Sequence, residues 1–281
     1  ASASLSETLL SAAMERDGSL KTHASHITQI VISRRTDVQH SLLREKLLAE
    51  FVGTFFLVLT VGVSVAGGSE LAPVAIGLVL AVQVYTLGAV SGGFFNPAVT
   101  VAVLLSGRHK IGPRHTAMYV AAQFLGALAA GLCAFAATGS TFCFDYALTR
   151  GWGTSLELEA LFTMALCSTV LATGTSNDAP NHYFGFAIGL TVAGGVLASG
   201  GFDQGSFNPA VTFGINLANY ANGSALRNPS AGAWLLFLLA PLLGAILAAA
   251  VFRATRGNEY AAPGAVTKEE QPAAGAEGQL A

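Results

Sequence analysis

The chain has 281 residues, of which 52% are hydrophobic and 11% charged, and its mean hydropathy is +0.56. A soluble domain carries about 25% charged residues, so this composition excludes an ordinary soluble globular fold and points to lipid as the solvent. The net charge of −2 gives no electrostatic basis for binding nucleic acid. Cys133, Cys143 and Cys167 lack the spacing of a disulfide framework or a metal site, and neither metal nor cofactor is expected.

Residues 1–46 hold Arg16, Lys21, Arg34, Arg35, Arg44 and Lys46 among serines, threonines and histidines. No apolar core of a signal peptide is present, so the segment is expected to be a mobile tail. An apolar domain follows over 47–254. A hydrocarbon core of ~30 Å takes about 20 apolar residues as helix, and six such spans are expected, near Leu47–Ala66, Pro73–Val90, Thr116–Ala137, Leu158–Thr173, Phe184–Gly200 and Ala231–Phe252. The stretch from Leu71 to Gly107 has no charged residue and no histidine. It is too long for one span and too short for two spans with a loop. A full span followed by a re-entrant half-helix fits, with Pro97–Leu105 reaching about halfway through a bilayer at ~1.5 Å per residue. From Tyr183 to Leu226 the pattern returns, with Asp203 as the one acid or base. Residues 255–281 are rich in Ala, Gly, Glu and Gln and read as a disordered tail.

Irregular backbone at membrane depth is tolerated only when buried in protein or lining a wet cavity. Two re-entrant segments therefore predict a cavity. With six spans both termini share one side. Twelve Lys and Arg fall on that side against Arg150 and Arg227 on the other, which places both tails in the cytoplasm. No address signal separates a vacuolar from a plasma-membrane location.

Residues 75–100 and 187–212 align at a constant offset of 112, and 14 of the 26 positions are identical, ending in an unbroken Phe-Asn-Pro-Ala-Val-Thr. Each repeat, 47–137 and 158–252, holds three spans. An odd number inverts the second copy, and inverted repeats place the working site near the midplane where broken helices meet. Asn is a favoured helix cap and Pro a favoured first residue, so Asn96-Pro97-Ala98 and Asn208-Pro209-Ala210 are two helix starts brought together at the pore centre. Each start carries roughly half a positive charge. Two of them facing one pore repel cations, and the two amides can hold a passing water so that it relays protons poorly.

The two Asn-Pro-Ala boxes, with Ala-Glu-Phe-Val-Gly-Thr at 49–54 opening the first span, resemble the major intrinsic proteins, or aquaporins, over about residues 47–254. The resemblance implies an all-α membrane fold of six transmembrane helices plus two re-entrant half-helices in an inverted repeat, a pore in each subunit, and a homotetramer. Family spacing also implies an outer selectivity filter at Ile76, Val196, Gly205 and Val211. Strict water channels have Arg at the last of these, so a ring of apolar residues here implies a wider, less polar filter. The second box, Asn-Pro-Ala-Val, is most similar to that of tonoplast-intrinsic-protein-like channels, which have His where this chain has Ile76. The Asn-Pro-Ala-Arg-Asp pattern of glycerol facilitators is absent at 208–212.

Glu50 and Glu159 are the acids well inside apolar spans. An intramembrane carboxylate is a functional candidate by default, but both are read as accepting hydrogen bonds from backbone N–H groups of the re-entrant loops, and Asp203 as organising its own loop. The expected function is a passive channel for water and small uncharged solutes (urea, ammonia, hydrogen peroxide and glycerol are candidates) that excludes protons and ions. The alternative is an inverted-repeat secondary transporter, which would need substrate-binding charges at the midplane. An enzyme is not expected, since no nucleophile–base pair or phosphate loop stands at membrane depth.

Overall fold

The computed structural model of the chain describes residues 41–146, 150–177 and 182–260. These are helical throughout, with no strand among them: α1 (Leu43–Ala66), α2 (Ala72–Ser91), α3 (Pro97–Leu105), α4 (Pro113–Thr138), α5 (Gly151–Val170), α6 (Phe184–Ser199), α7 (Pro209–Ala221) and α8 (Ala231–Thr255). α5 widens into a π turn at Leu171–Thr175, and a 3₁₀ turn, Gly257–Tyr260, follows α8. The first half-helix has the bounds read from the sequence.

Other bounds moved. α5 begins at Gly151, seven residues before the expected Leu158, because its first two turns carry polar residues, including the exposed Glu157, that an apolar count leaves out. α1, α2, α4, α8 and α5 with its π turn are long and apolar enough to cross a membrane, whereas α6 has 16 residues, or about 24 Å. Beyond α6 the chain adds one tight turn, in which the N–H groups of Phe202 and Asp203 both donate to the Ser199 carbonyl at 2.8 and 2.9 Å.

The helices show how apolar chains pack in lipid, where small residues rather than hydrophobicity bring backbones together. α8 turns Ala233, Ala240, Ala245 and Ala248 inward, each fully buried, and Leu235, Leu239, Leu243 and Ile246 outward. α1 packs on α4 and α5 on α8, the same pair in each repeat; α3 lies on α8 and α7 on α4, so each half-helix rests against the other repeat. α2 and α6 meet each other at equivalent positions. A Cβ on Gly77 would stand 2.5 Å from the Gly189 carbonyl oxygen, and one on Gly189 2.2 Å from that of Gly77. Only glycine permits that approach.

The expected tails fall mostly on 1–40 and 261–281, outside the described residues. The part of the C-terminal tail that is described is folded, unlike the expectation, and straps three segments together. The buried Glu259 carboxylate pairs with Arg108 at 2.7 Å and accepts the Asn177 N–H at 2.8 and 3.0 Å. Arg108 also donates to the Glu259, Thr175 and Asn177 oxygens, and the Tyr260 hydroxyl donates to the Ser106 carbonyl at 2.5 Å. Arg108 and Arg253 both stack over the Tyr260 ring.

Candidate functional site

Two half-helix starts form the centre. Asn96 and Asn208 have extended backbones (φ −158° and −155°), and their side-chain oxygens accept the N–H of Ala98 at 2.8 Å and of Ala210 at 2.9 Å. Each satisfies one otherwise orphaned donor of its helix, and Pro97 and Pro209 occupy first-turn positions where a missing N–H costs nothing. Both caps therefore follow from residue chemistry alone.

What aims them is the preceding residue. Phe95 and Phe207 have φ of 49° and 50°, left-handed values that cost a bulky residue about 1–2 kcal/mol. Both rings are fully buried, Phe95 against α1 at Gly53 and Phe207 against Phe162 of α5. The left-handed bend turns each N–H toward a glutamate of its own repeat and each carbonyl toward the other repeat. Glu50 Oε2 accepts from Phe95 N–H at 2.7 Å, and Glu159 Oε2 from Phe207 N–H at 2.8 Å. Across the pseudo-twofold, Asn208 Nδ2 donates to the Phe95 carbonyl at 2.9 Å and Asn96 Nδ2 to the Phe207 carbonyl at 2.8 Å. One hydrogen of each amide is thus committed to bracing the two halves, and the second is left to face solute.

The glutamates are not equally served. Glu50 accepts four donors: the Ser91 hydroxyl, the Gln123 amide and the N–H groups of Phe94 and Phe95. Glu159 accepts the N–H groups of Ser206 and Phe207, and Asp203 stands beside it.

A cavity of about 210 Å³ runs between the repeats. Asn96 and Asn208 line it, as do Ile76, Val196, Gly205 and Val211. Pro97, Ala98, Pro209 and Ala210 do not; they are buried behind it, where the two helix starts pack together. Of the six residues expected at the pore centre, only the two asparagines reach the cavity. Glu50 and Glu159 also lie off it, spent on the loops.

The α4–α5 connection supplies lining that the sequence did not point to. Phe142 and Phe144 fold into the mouth. Asn216 of α7 holds Phe144 by its N–H at 2.7 Å, while Gln204 accepts from Asp145 N–H at 2.6 Å and donates to the Cys143 carbonyl at 3.0 Å. Burial raises the Cys143 thiol above its ordinary range, so it stays protonated at neutral pH. An aromatic pair in a short connection is the one signal that could have marked this segment. Among the described residues no cluster of His, Cys, Asp and Glu could hold a metal ion.

The family model of the major intrinsic proteins matches residues 37–252. A protein named glycerol uptake facilitator protein-like 6 from Lactiplantibacillus plantarum is 38% identical over 73% of this chain and 94% of its own length. Nodulin-26 from Glycine max is 34% identical over 75% and 78%, and aquaporin AqpM from Methanothermobacter thermautotrophicus 30% over 75% and 97%. The X-ray structure of the aquaglyceroporin from Plasmodium falciparum superposes with a TM-score of 0.64 at 19% identity, over 75% of this chain and 96% of that one. The fold is the one expected. With the doubled Asn-Pro-Ala half-helices and the match over most of its length, the chain belongs to the major intrinsic protein family.

Proposed function

We propose that the chain is a passive transmembrane channel for water and small uncharged solutes. The observation that carries this reading is the meeting of α3 and α7 at one cavity. Two helix N-termini, each worth roughly half a positive charge, face a lining whose remaining residues are mostly apolar. A cation there meets like charge and few acceptors, whereas a neutral molecule finds two amide donors. Proton relay is weakened for the same reason, because a water held by both donors cannot pass a proton along a chain.

Ile76, Val196, Gly205 and Val211 act as the selectivity filter, a role supported by their sharing one cavity. With no charged side chain among them, a solute entering the ring sheds its water against methyl groups and the backbone of Gly205. Urea, ammonia, hydrogen peroxide and glycerol are the candidate solutes. Glycerol gains weight from the name of the bacterial relative, although Val211-Thr212 lacks the charged pair of the glycerol pattern. The protein sits as a homotetramer with both termini cytoplasmic; the excess of Lys and Arg on that side supports the orientation.

Stopped-flow permeability of the purified protein in one lipid, to water and each of the four solutes, tests the reading. Flux should be linear in solute and independent of ion gradients. Saturation at low solute, or a need for an ion gradient, would replace the channel with a transporter.

A further inference from the structure

The two re-entrant loops have the same four backbone N–H groups held by side-chain oxygens at an offset of 112 residues, namely Gly93 and Gly205, Phe94 and Ser206, Phe95 and Phe207, and Ala98 and Ala210, but the side-chain donors to the two glutamates differ. In the first repeat the Ser91 hydroxyl accepts from Gly93 N–H at 3.1 Å and donates to Glu50 Oε1 at 2.6 Å. In the second repeat Asp203 stands at the position of Ser91 and Gly205 at that of Gly93. The Asp203 Oδ2 accepts from Gly205 N–H at 3.0 Å, which reproduces the first bond. The second bond needs a donor toward Glu159, and a carboxylate has none.

Three observations bear on how that gap is filled. Asp203 is 5% exposed and Glu159 fully buried. The Asp203 Oδ1 is buried without a partner, and the two carboxylates hold the N–H groups of successive residues, Asp203 that of Gly205 at 3.0 Å and Glu159 that of Ser206 at 2.5 Å. Among the described residues no lysine or arginine forms an ion pair with either. Like charges this close in a low-dielectric site do not both ionise. Glu159 also lacks the equivalent of the Gln123 amide that serves Glu50.

We propose that Asp203 and Glu159 share one proton, which does for the second re-entrant loop what the Ser91 hydroxyl proton does for the first. Asp203 is then a positioning residue. Through one oxygen it holds the N–H of Gly205, and through the other it shares the proton with the glutamate that carries Ser206 and Phe207. The proton bridges α5 to the loop that presents Gly205 and, three residues past the Asn208 cap, Val211. The pair bears one negative charge rather than two, so the outer part of the cavity does not become a cation trap.

The test is infrared spectroscopy of the purified channel in lipid, which reads the proton without reference to flux and therefore without reference to the filter assignment. Wild type should show a protonated-carboxyl C=O band at neutral pH that shifts in deuterated water. That band should vanish in Asp203→Asn and in Glu159→Gln, because each leaves one carboxyl with an amide donor beside it. A wild type with carboxylate bands alone, or a band that persists in both variants, overturns the proposal. Rescue supplies a second readout. Asp203→Ser copies Ser91 and Asp203→Asn keeps both an acceptor and a donor, so both should unfold in detergent with midpoints near wild type. Asp203→Ala removes both bonds and should shift the unfolding equilibrium by about tenfold or more. If Ser and Asn lose as much as Ala, the donor role is wrong.

Discussion

Replacing Asn96 and Asn208 with aspartate, singly and together, tests the charge barrier. The substitution keeps the helix start, because Asp caps as well as Asn and its Oδ1 can still accept from Ala98 or Ala210, as the amide oxygen does at 2.8 and 2.9 Å. What changes is the other atom. The Nδ2 donor, 2.8–2.9 Å from the opposing Phe207 or Phe95 carbonyl, becomes an oxygen that repels it. An ionised Asp also replaces a partial positive charge of roughly one half with a net negative one. A unit charge about 4 Å from a monovalent ion is worth about 4 kcal/mol at an effective dielectric of 20. That corresponds to about a thousandfold in ion leak. A protonated Asp restores both the brace and the neutral charge, so the leak should rise with pH. The assay is dissipation of a potassium potential in proteoliposomes, beside stopped-flow water permeability. A double variant that still conducts water but leaks no more cations than wild type at any pH would remove the asparagines from the ion barrier.

Val211→Arg should narrow the ring of Ile76, Val196 and Gly205, lowering urea and glycerol permeability by about tenfold, or about 1.4 kcal/mol in barrier, with part of the water flux retained. Unchanged urea and water flux would mean that Val211 does not set the constriction. Gly189→Ala places a methyl 2.2 Å from the Gly77 carbonyl oxygen, so α2 and α6 must part, at about 1–3 kcal/mol; an unchanged unfolding midpoint in detergent refutes that contact. Glu259→Ala removes the ionic partner of Arg108, whose side chain is 12% exposed, and the acceptor of the Asn177 N–H. The loss should be about 3 kcal/mol, with Glu259→Gln milder because it can still accept from Asn177; equal midpoints for wild type and Glu259→Ala would show that the strap holds nothing.

The sequence was legible where chemistry is local. Asn before Pro fixes a helix start whatever surrounds it, and a charge-free run of the wrong length for whole spans forces a half-helix, so Pro97–Leu105 could be read directly. The repeat register then pairs Phe95 with Phe207, and Glu50 and Glu159, outside that register, are a looser match. Illegible were features that depend on partners far along the chain. Nothing in a Phe announces a left-handed φ, which persists only because α1 and α5 bury the ring and a glutamate receives the N–H. Likewise Glu259 looked like tail because its composition is that of a tail. Its partners Arg108 and Asn177 lie 151 and 82 residues away. Pro97, Ala98, Pro209 and Ala210 are buried beside the cavity for a geometric reason. A helix start exposes its cap to the pore but packs its first turn against the opposing start.

The two repeats are most alike at the pore centre and diverge toward both mouths. α3 has nine residues and α7 thirteen. The added turn of α7 carries Asn219, which accepts from the Thr141 hydroxyl at 2.9 Å and donates to the Arg227 carbonyl at 2.8 Å. With Asn216 it ties the α4–α5 connection over one end of the cavity. At the other end the strap at Glu259 ties α3 to the residues following α5. Neither device has a counterpart in the other repeat, and Asp203 in place of Ser91 lies on the elaborated side. Charge exclusion depends on two helix starts that must match to face one another, so the repeat keeps them the same. Choice among neutral solutes depends on the width and polarity of a mouth, which symmetry does not constrain. Substitutions that re-rank solutes should therefore cluster at Phe142, Phe144, Gln204 and Val211, and those that admit ions at the two asparagines.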